Sequence, residues 1–379
     1  MLRMQGGDSV PIFLRVLCLA FAASARNSTL VRLEDSDALC IDGKPGGYYF
    51  RAGASTTKWY IHHEGGGWCQ MERPYESWPN DNCAARRSTR LGSLEGDPAA
   101  ADWTSTTGCA GCSDDAAINP LMHDWNNVYV RYCDGGSFSG TADVAAPNGT
   151  LYFRGKRVLR AVVDSLMARG LGAATDVVVG GSSAGGLAVI LHLDYWRSRL
   201  PRTATVVGLA DSGFFLDWKQ NGTSAHSYDE DLRWGFEHMR YDVDCDAGAD
   251  CAFAEHALAR VRTPVFLLQT TYDSWQLQWE LGLTKPVDYA ALNAYGRELE
   301  DKLRAAGARA GGFVERCYHH CTTRDLWTTT PRIDGVAAGD AFTAFYRAVA
   351  AGAPTPPLLW QDGALPCAGC ACPGGMVKP

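Results

Sequence analysis

Gly181-Ser182-Ser183-Ala184-Gly185 sets a hydroxyl among glycines at G-x-S-x-G spacing. Its flanks give the spacing meaning. Val177, Val178 and Val179 are β-branched and read as a short buried strand, and Leu187, Ala188, Val189 and Ile190 open a helix. A strand turning sharply into a helix needs residues without bulk. It also thrusts the residue at its tip out of the sheet, above a helix N-terminus. Ser183 occupies that tip and is the candidate nucleophile. A glycine-rich turn without chemistry would carry the same letters, so the partners have to decide.

A neutral hydroxyl attacks poorly and needs a base, and the base needs an acid to hold its tautomer. In α/β-hydrolases these follow in the order Ser, Asp or Glu, His. Six of nine histidines follow Ser183, and only His319 and His320 come after the later strands. Two aspartates end strands: Asp211 after "VVGLA" and Asp273 after "VFLLQT". Asp273 is favoured, because its strand directly precedes the histidine-bearing one; Asp211 is left to shape the pocket or cap a turn. Acyl transfer also needs donors for an oxyanion. Ala184, after the nucleophile, supplies one N–H. "HHEGGGWC" (62–69), after an early strand, supplies Gly67 and Trp68.

These groups need a scaffold that gathers strand ends. "KWYIHH" (58–63), "NVYVRY" (127–132), "TATVVGLA" (203–210), "PVFLLQT" (264–270) and "GGFVERCY" (311–318) read as strands. Residues 155–170, 295–307 and 340–349 read as amphipathic helices. The alternation implies an α/β fold: a mostly parallel, doubly wound sheet covered on both faces, with active sites at the carboxyl ends of its strands. Residues 75–120 and 216–255 are polar, bear cysteines and read as insertions over the top of the sheet. The tail from 354 is rich in Pro, Gly and Cys and reads as irregular.

The chain has 379 residues, 46% of them hydrophobic, and a net charge of −7. That balance argues against a nucleic-acid partner. Residues 11–25 are apolar and end in Ala23-Ser24-Ala25, which reads as a secretory signal removed after residue 25, leaving one α/β domain over 26–379. No later run reaches the roughly 18 apolar residues of a membrane span. Thirteen of the 14 cysteines lie beyond that signal, including "CAGC" at both Cys109–Cys112 and Cys367–Cys370. In an exported chain they read as disulfides rather than zinc ligands, with the connectivity open and one thiol left over. Sequons at Asn27, Asn148 and Asn221 fit a secreted glycoprotein.

"HHEGGGWC", "VRYCDGGSFSG", "GGSSAGG", "TYDSWQ" and "CYHHC" together resemble the pectin acetylesterase/Notum family of secreted serine esterases, from about Cys40 to about Tyr346. The resemblance implies an α/β-hydrolase fold and a triad of Ser183, Asp273 and His320, the histidine directly before a cysteine. It also implies an oxyanion hole from Gly67, Trp68 and Ala184. Ser182 stands where the family usually has cysteine. The likeness is closer to the plant-type members, carried largely by the stretch from Asp134 to Phe138; Asp134, Ser137 and Trp275 are expected to line the substrate pocket. Trp78, Trp103 and Trp275 are candidates for a sugar-stacking floor. The expected reaction is removal of O-acetyl groups from an extracellular or cell-wall polysaccharide such as pectin by a monomer, without metal or cofactor. A deacylase of lipid-modified proteins is the alternative enzyme, and an inactive glycan-binding protein the alternative outside enzymes. A deep apolar pocket beside Ser183 would favour lipid; a shallow cleft would favour acetate.

Overall fold

The computed structural model describes residues 27–71, 81–103, 109–218, 228–283, 286–306, 310–325, 327–361, 363–366 and 372. The expected signal, Trp78 and Asn221 lie outside the described residues.

A ten-stranded sheet forms the centre. Its strands in chain order are β1 (Ser28–Arg32), β2 (Gly47–Arg51), β3 (Ser55–His63), β4 (Ala100–Ala101), β5 (Trp125–Val130), β6 (Asp176–Ser182), β7 (Thr205–Asp211), β8 (Val265–Thr270), β9 (Ala310–Glu315) and β10 (Leu359–Trp360). In space they run β10-β9-β8-β7-β6-β3-β5-β2-β1-β4. The seven from β10 to β5 are parallel, and β2, β1 and β4 extend the sheet by antiparallel pairing.

Runs of β-branched and aromatic residues make these strands because both faces are covered. Four long helices matter: α1 (Gly155–Ala168), α2 (Ala184–Arg199), α3 (Tyr289–Ala306) and α4 (Ala338–Ala350). Val177 and Val179 of β6 share a core with Val162 of α1, Leu187 of α2 and Leu299 of α3. Val178, one residue out of phase, shares the opposite core with Phe342 and Phe345 of α4. The alternation of the strand decides which layer each side chain joins.

The structure differs from the sequence reading in several places. Trp103, Cys109 and Cys112 pack in the α4-side core, so part of the 75–120 insertion covers a face of the sheet rather than its top. Trp103 is 7% exposed and stacks on Tyr129 at 4.2 Å, so it is a core residue and not a sugar-stacking platform. The tail contributes β10, parallel to β9. Disulfides join Cys40–Cys133, Cys69–Cys83, Cys109–Cys112, Cys245–Cys251 and Cys317–Cys372; Cys321 is a free thiol. No helix among the described residues is long and apolar enough to cross a membrane.

Candidate active site

The register of the sheet brings the relevant strand ends level. Gly181 pairs with His63, Ser182 with Asp211, Asp211 with Leu268, and Thr270 with Glu315. The residues just beyond β3, β6, β7, β8 and β9 therefore emerge at one edge.

Ser183 leaves β6 with φ 58°, ψ −126° and begins α2. Positive φ is costly for a residue with a Cβ and persists only where the surroundings impose it. Here the Ser183 N–H donates to the Asp211 carbonyl at 2.8 Å, and its carbonyl accepts from Leu187 at 3.0 Å. Glycine is required nearby for close approach: a Cβ on Gly185 would stand 2.1 Å from the His63 carbonyl oxygen, and one on Gly65 would stand 2.8 Å from Ser183 Cβ. The elbow and the loop after β3 are thus pressed together.

Asp273 lies three residues past β8, fully buried, and caps the short helix Ser274–Trp279. Its Oδ1 accepts the N–H groups of Trp275 (2.9 Å) and Gln276 (3.1 Å). Both carboxylate oxygens face Nδ1 of His320, at 2.7 and 2.9 Å. Nδ1 being committed, Nε2 is the nitrogen left for proton transfer; it is buried without a hydrogen-bond partner. Ser183 Oγ and Nε2 do not bond each other in this conformation, as is common before substrate binds. Burial lowers the His320 pKa, but the Asp273 charge, the Cys321 thiol beside the ring and the hydrogen bond to Asp273 together raise it well above 6.5. His319 turns elsewhere: its Nε2 pairs with the buried Glu315 carboxylate, and its carbonyl accepts from Ser274 N–H. Asp211 bonds the N–H groups of Thr322 and Thr323 and the hydroxyls of Ser212 and Thr323 rather than the imidazole.

The expected oxyanion loop is held at its root by a buried network that the sequence reading missed. Glu64 accepts from Arg90, Arg131 and the Tyr132 N–H, and Arg131 also grips Asp97 at 2.6 Å. Only the charged letters inside "HHEGGG" and "VRYCD" hinted at it. Gly67 adopts φ 63°, and its carbonyl accepts from Tyr132 Oη at 2.7 Å. A trans peptide points its N–H opposite its C=O, so the Trp68 N–H is aimed away from Tyr132. Ala184 is the first helical residue of α2, so its N–H has no intrahelical acceptor.

Two residues expected in the pocket are buried and hydrogen-bonded within the surrounding loops. Ser137 is fully buried; its hydroxyl accepts from Trp68 Nε1 (2.9 Å) and donates to the Ala184 carbonyl (2.8 Å). It therefore bridges the loop after β3 and the elbow. Ser137→Ala removes both bonds and should lower kcat/KM on p-nitrophenyl acetate roughly 10- to 100-fold, since small misplacements at a reacting centre are costly. A variant as active as the wild type would remove that role. Asp134 is 2% exposed, and its Oδ2 accepts from Gly136 and Phe138 N–H at 3.1 and 3.0 Å. The carboxyl is enclosed in its own loop. Trp275, 4% exposed, packs against Trp68 (5.7 Å), Phe215 (5.4 Å) and His320 (6.3 Å). It borders the imidazole as part of a closed aromatic cluster rather than as an open floor.

Burial raises the Asp134 pKa from 3.8 to about 6, against the pull of the N–H groups of Phe138 and Gly136. The folded chain thus holds this proton more tightly than the unfolded one, and stability falls as pH rises from about 4 through 6. Two units correspond to roughly 3 kcal/mol. Asp134→Asn should flatten that part of a urea-midpoint profile between pH 4 and 7. A profile unchanged by the substitution would show that Asp134 ionises normally.

Asn27 and Asn148 are exposed, as glycan acceptors would have to be. A groove of about 990 Å³ lies away from these residues, between Lys156 and Arg160 of α1, the second half of α2 and the approach to β7. Among the described residues, Asp217, Glu255 and His256 have ligand atoms within 4.8 Å of one another. Arg233 and Lys302 already pair with the two carboxylates at 2.6 Å each, so cationic side chains supply the charge a metal would.

A family model described as Pectinacetylesterase matches residues 20–351. The chain is 32% identical over 358 residues to pectin acetylesterase 5 of Arabidopsis thaliana, covering 84% of this chain and 81% of that one. It is 30% identical over 323 residues to the human palmitoleoyl-protein carboxylesterase NOTUM, covering 78% and 62%. Among solved structures it is similar to the Wnt deacylase Notum from Drosophila, with TM-score 0.74 and 25% identity over 89% of this chain and 97% of that one.

Proposed function

This chain belongs to the pectinacetylesterase family and is a carboxylic ester hydrolase, and from that premise we propose that it removes O-acetyl groups from a polysaccharide such as pectin, outside the cell, through an acyl-enzyme on Ser183. Nε2 of His320 takes the Ser183 proton as Oγ attacks the ester carbonyl. Asp273 holds the imidazole by Nδ1 and stabilises the cation that forms. The N–H groups of Gly67, Trp68 and Ala184 receive the oxyanion. His320 then protonates the departing sugar oxygen, and a water deprotonated by the same nitrogen releases acetate. Five disulfides among the described residues suit an oxidising compartment.

The packing of Trp68, Phe215 and Trp275 carries the acetyl reading. Their rings meet edge to face at 4.8 to 5.7 Å, and none is more than 4% exposed. Trp275 lies against His320 at 6.3 Å and is closed in by the other two rings, a packing that favours a two-carbon acyl group over a long chain. The likeness to a Wnt deacylase supports lipid-protein deacylation as a second reading, for which the rings would have to part. The test is acetate release from acetylated pectin, xylan and mannan, set beside p-nitrophenyl esters from acetyl to octanoyl and a lipidated peptide. Acetate from at least one polymer, with ester rates falling from acetyl to octanoyl, is expected. Preference for octanoyl, cleavage of the lipidated peptide and no acetate from any polymer would overturn it.

A further inference from the structure

We propose that Asp211 is a positioning residue that sets the nucleophile and the base in register through one side chain and its own carbonyl. The inference rests on the triad reading above. Ser183 and His320 follow β6 and β9, which are separated in the sheet by β7 and β8. Neither strand touches the other, so something between them must fix the distance from Oγ to Nε2. Asp211 ends β7, directly beside the elbow.

Its backbone carbonyl accepts the Ser183 N–H at 2.8 Å, the bond that holds the nucleophile's peptide at positive φ. Its carboxylate, in a residue 1% exposed, reaches the other way. Oδ1 accepts the Thr322 N–H at 3.0 Å; Oδ2 accepts the Thr323 N–H at 2.8 Å and the Thr323 hydroxyl. The next residue completes the grip: Ser212 Oγ accepts the Cys321 N–H at 2.9 Å and donates to Asp211 Oδ1 at 3.3 Å. Three successive N–H groups immediately after His320 are thereby held by Asp211 and Ser212. Ser212 and Cys321 both take positive φ, at 49° and 70°. Strained non-glycine backbone on both sides of a hydrogen-bonded contact marks a geometry that the surroundings enforce. Charged hydrogen bonds to backbone are strong enough to enforce it.

The test is Asp211→Asn, which keeps the shape and one acceptor but removes the charge. Ionisable groups bearing on His320 are Asp273, Asp211, Glu280 and Cys321. Loss of one anion facing the imidazolium moves the acidic limb of the pH–rate profile to lower pH. On p-nitrophenyl acetate the expected result is kcat down about 100-fold, KM within about twofold, and that limb displaced downward. Folded Asp211→Asn protein with kcat within threefold of wild type overturns the proposal. So does a loss of kcat with the limb unmoved, which a merely structural role would give. Should Asp211→Asn not fold, Thr323→Val and Ser212→Ala decide. Thr323→Val removes one bond of the grip and Ser212→Ala two; lowered kcat at an unchanged melting temperature in either supports the proposal, while unchanged kcat in both overturns it. Ser183→Ala run in parallel separates the outcomes, because full activity there would sink the triad reading itself.

Discussion

Ser183→Ala should cut hydrolysis of p-nitrophenyl acetate by roughly 10⁴- to 10⁶-fold, leaving the slow rate that oxyanion donors and binding alone provide. The expectation comes from what the hydroxyl does and does not do. It is 9% exposed at the tip of the elbow, and Nε2 of His320 is the buried nitrogen without a partner. The backbone conformation is held by the Ser183 N–H and carbonyl, both of which alanine retains. The melting temperature should therefore barely move while turnover collapses. Purified variant and wild type, compared by acetate release and by thermal denaturation, give the answer. Turnover unchanged in the variant would dispose of the nucleophile assignment.

Asp273→Asn should cost about 10⁴-fold in kcat, near 5 kcal/mol of barrier. Asparagine fills the same volume, and its carbonyl can still cap Trp275 and Gln276. Its amide, turned toward Nδ1, donates where the carboxylate accepted. The imidazole must then carry its proton on Nε2, the nitrogen that has to be free to take one. The pH profile gives a second readout. In the proposed mechanism His320 acts as a base when neutral, so activity should rise with pH through its pKa, which is raised above 6.5 in the intact pair. Removing the anion lowers that value, and the acidic limb should shift to lower pH even as the plateau falls. Stability follows the opposite slope. A histidine whose folded pKa is raised adds stability below pH 6.5, and that contribution fades as pH climbs through the folded value. The stability gap between wild type and variant should therefore narrow as pH rises. A variant retaining wild-type kcat would remove Asp273 from the site.

Local pattern carried the layered α/β architecture, because a strand buried on both faces and a helix buried on one leave different periodicities in neighbouring residues. It also carried the elbow at Ser183 and the aspartate after β8, since a tight strand-to-helix turn and a strand-end acid are short-range features. Between His319 and His320 spacing was silent, and only the family resemblance chose. Tertiary structure shows why such adjacent residues can differ: one imidazole turns to Glu315, four residues back, the other to Asp273, 47 residues away. The partners of Asp134, Ser137 and Trp103 were illegible for the same reason. A polar or aromatic residue in a glycine-rich stretch looks like pocket lining until its partners are known, and those partners come from distant strands. Ser137 finds Ala184 across 47 residues, and Asp211 finds Thr323 across 112. Short-range sterics and periodicity are written along the chain; which buried polar group satisfies which is settled only when the sheet brings strand ends level.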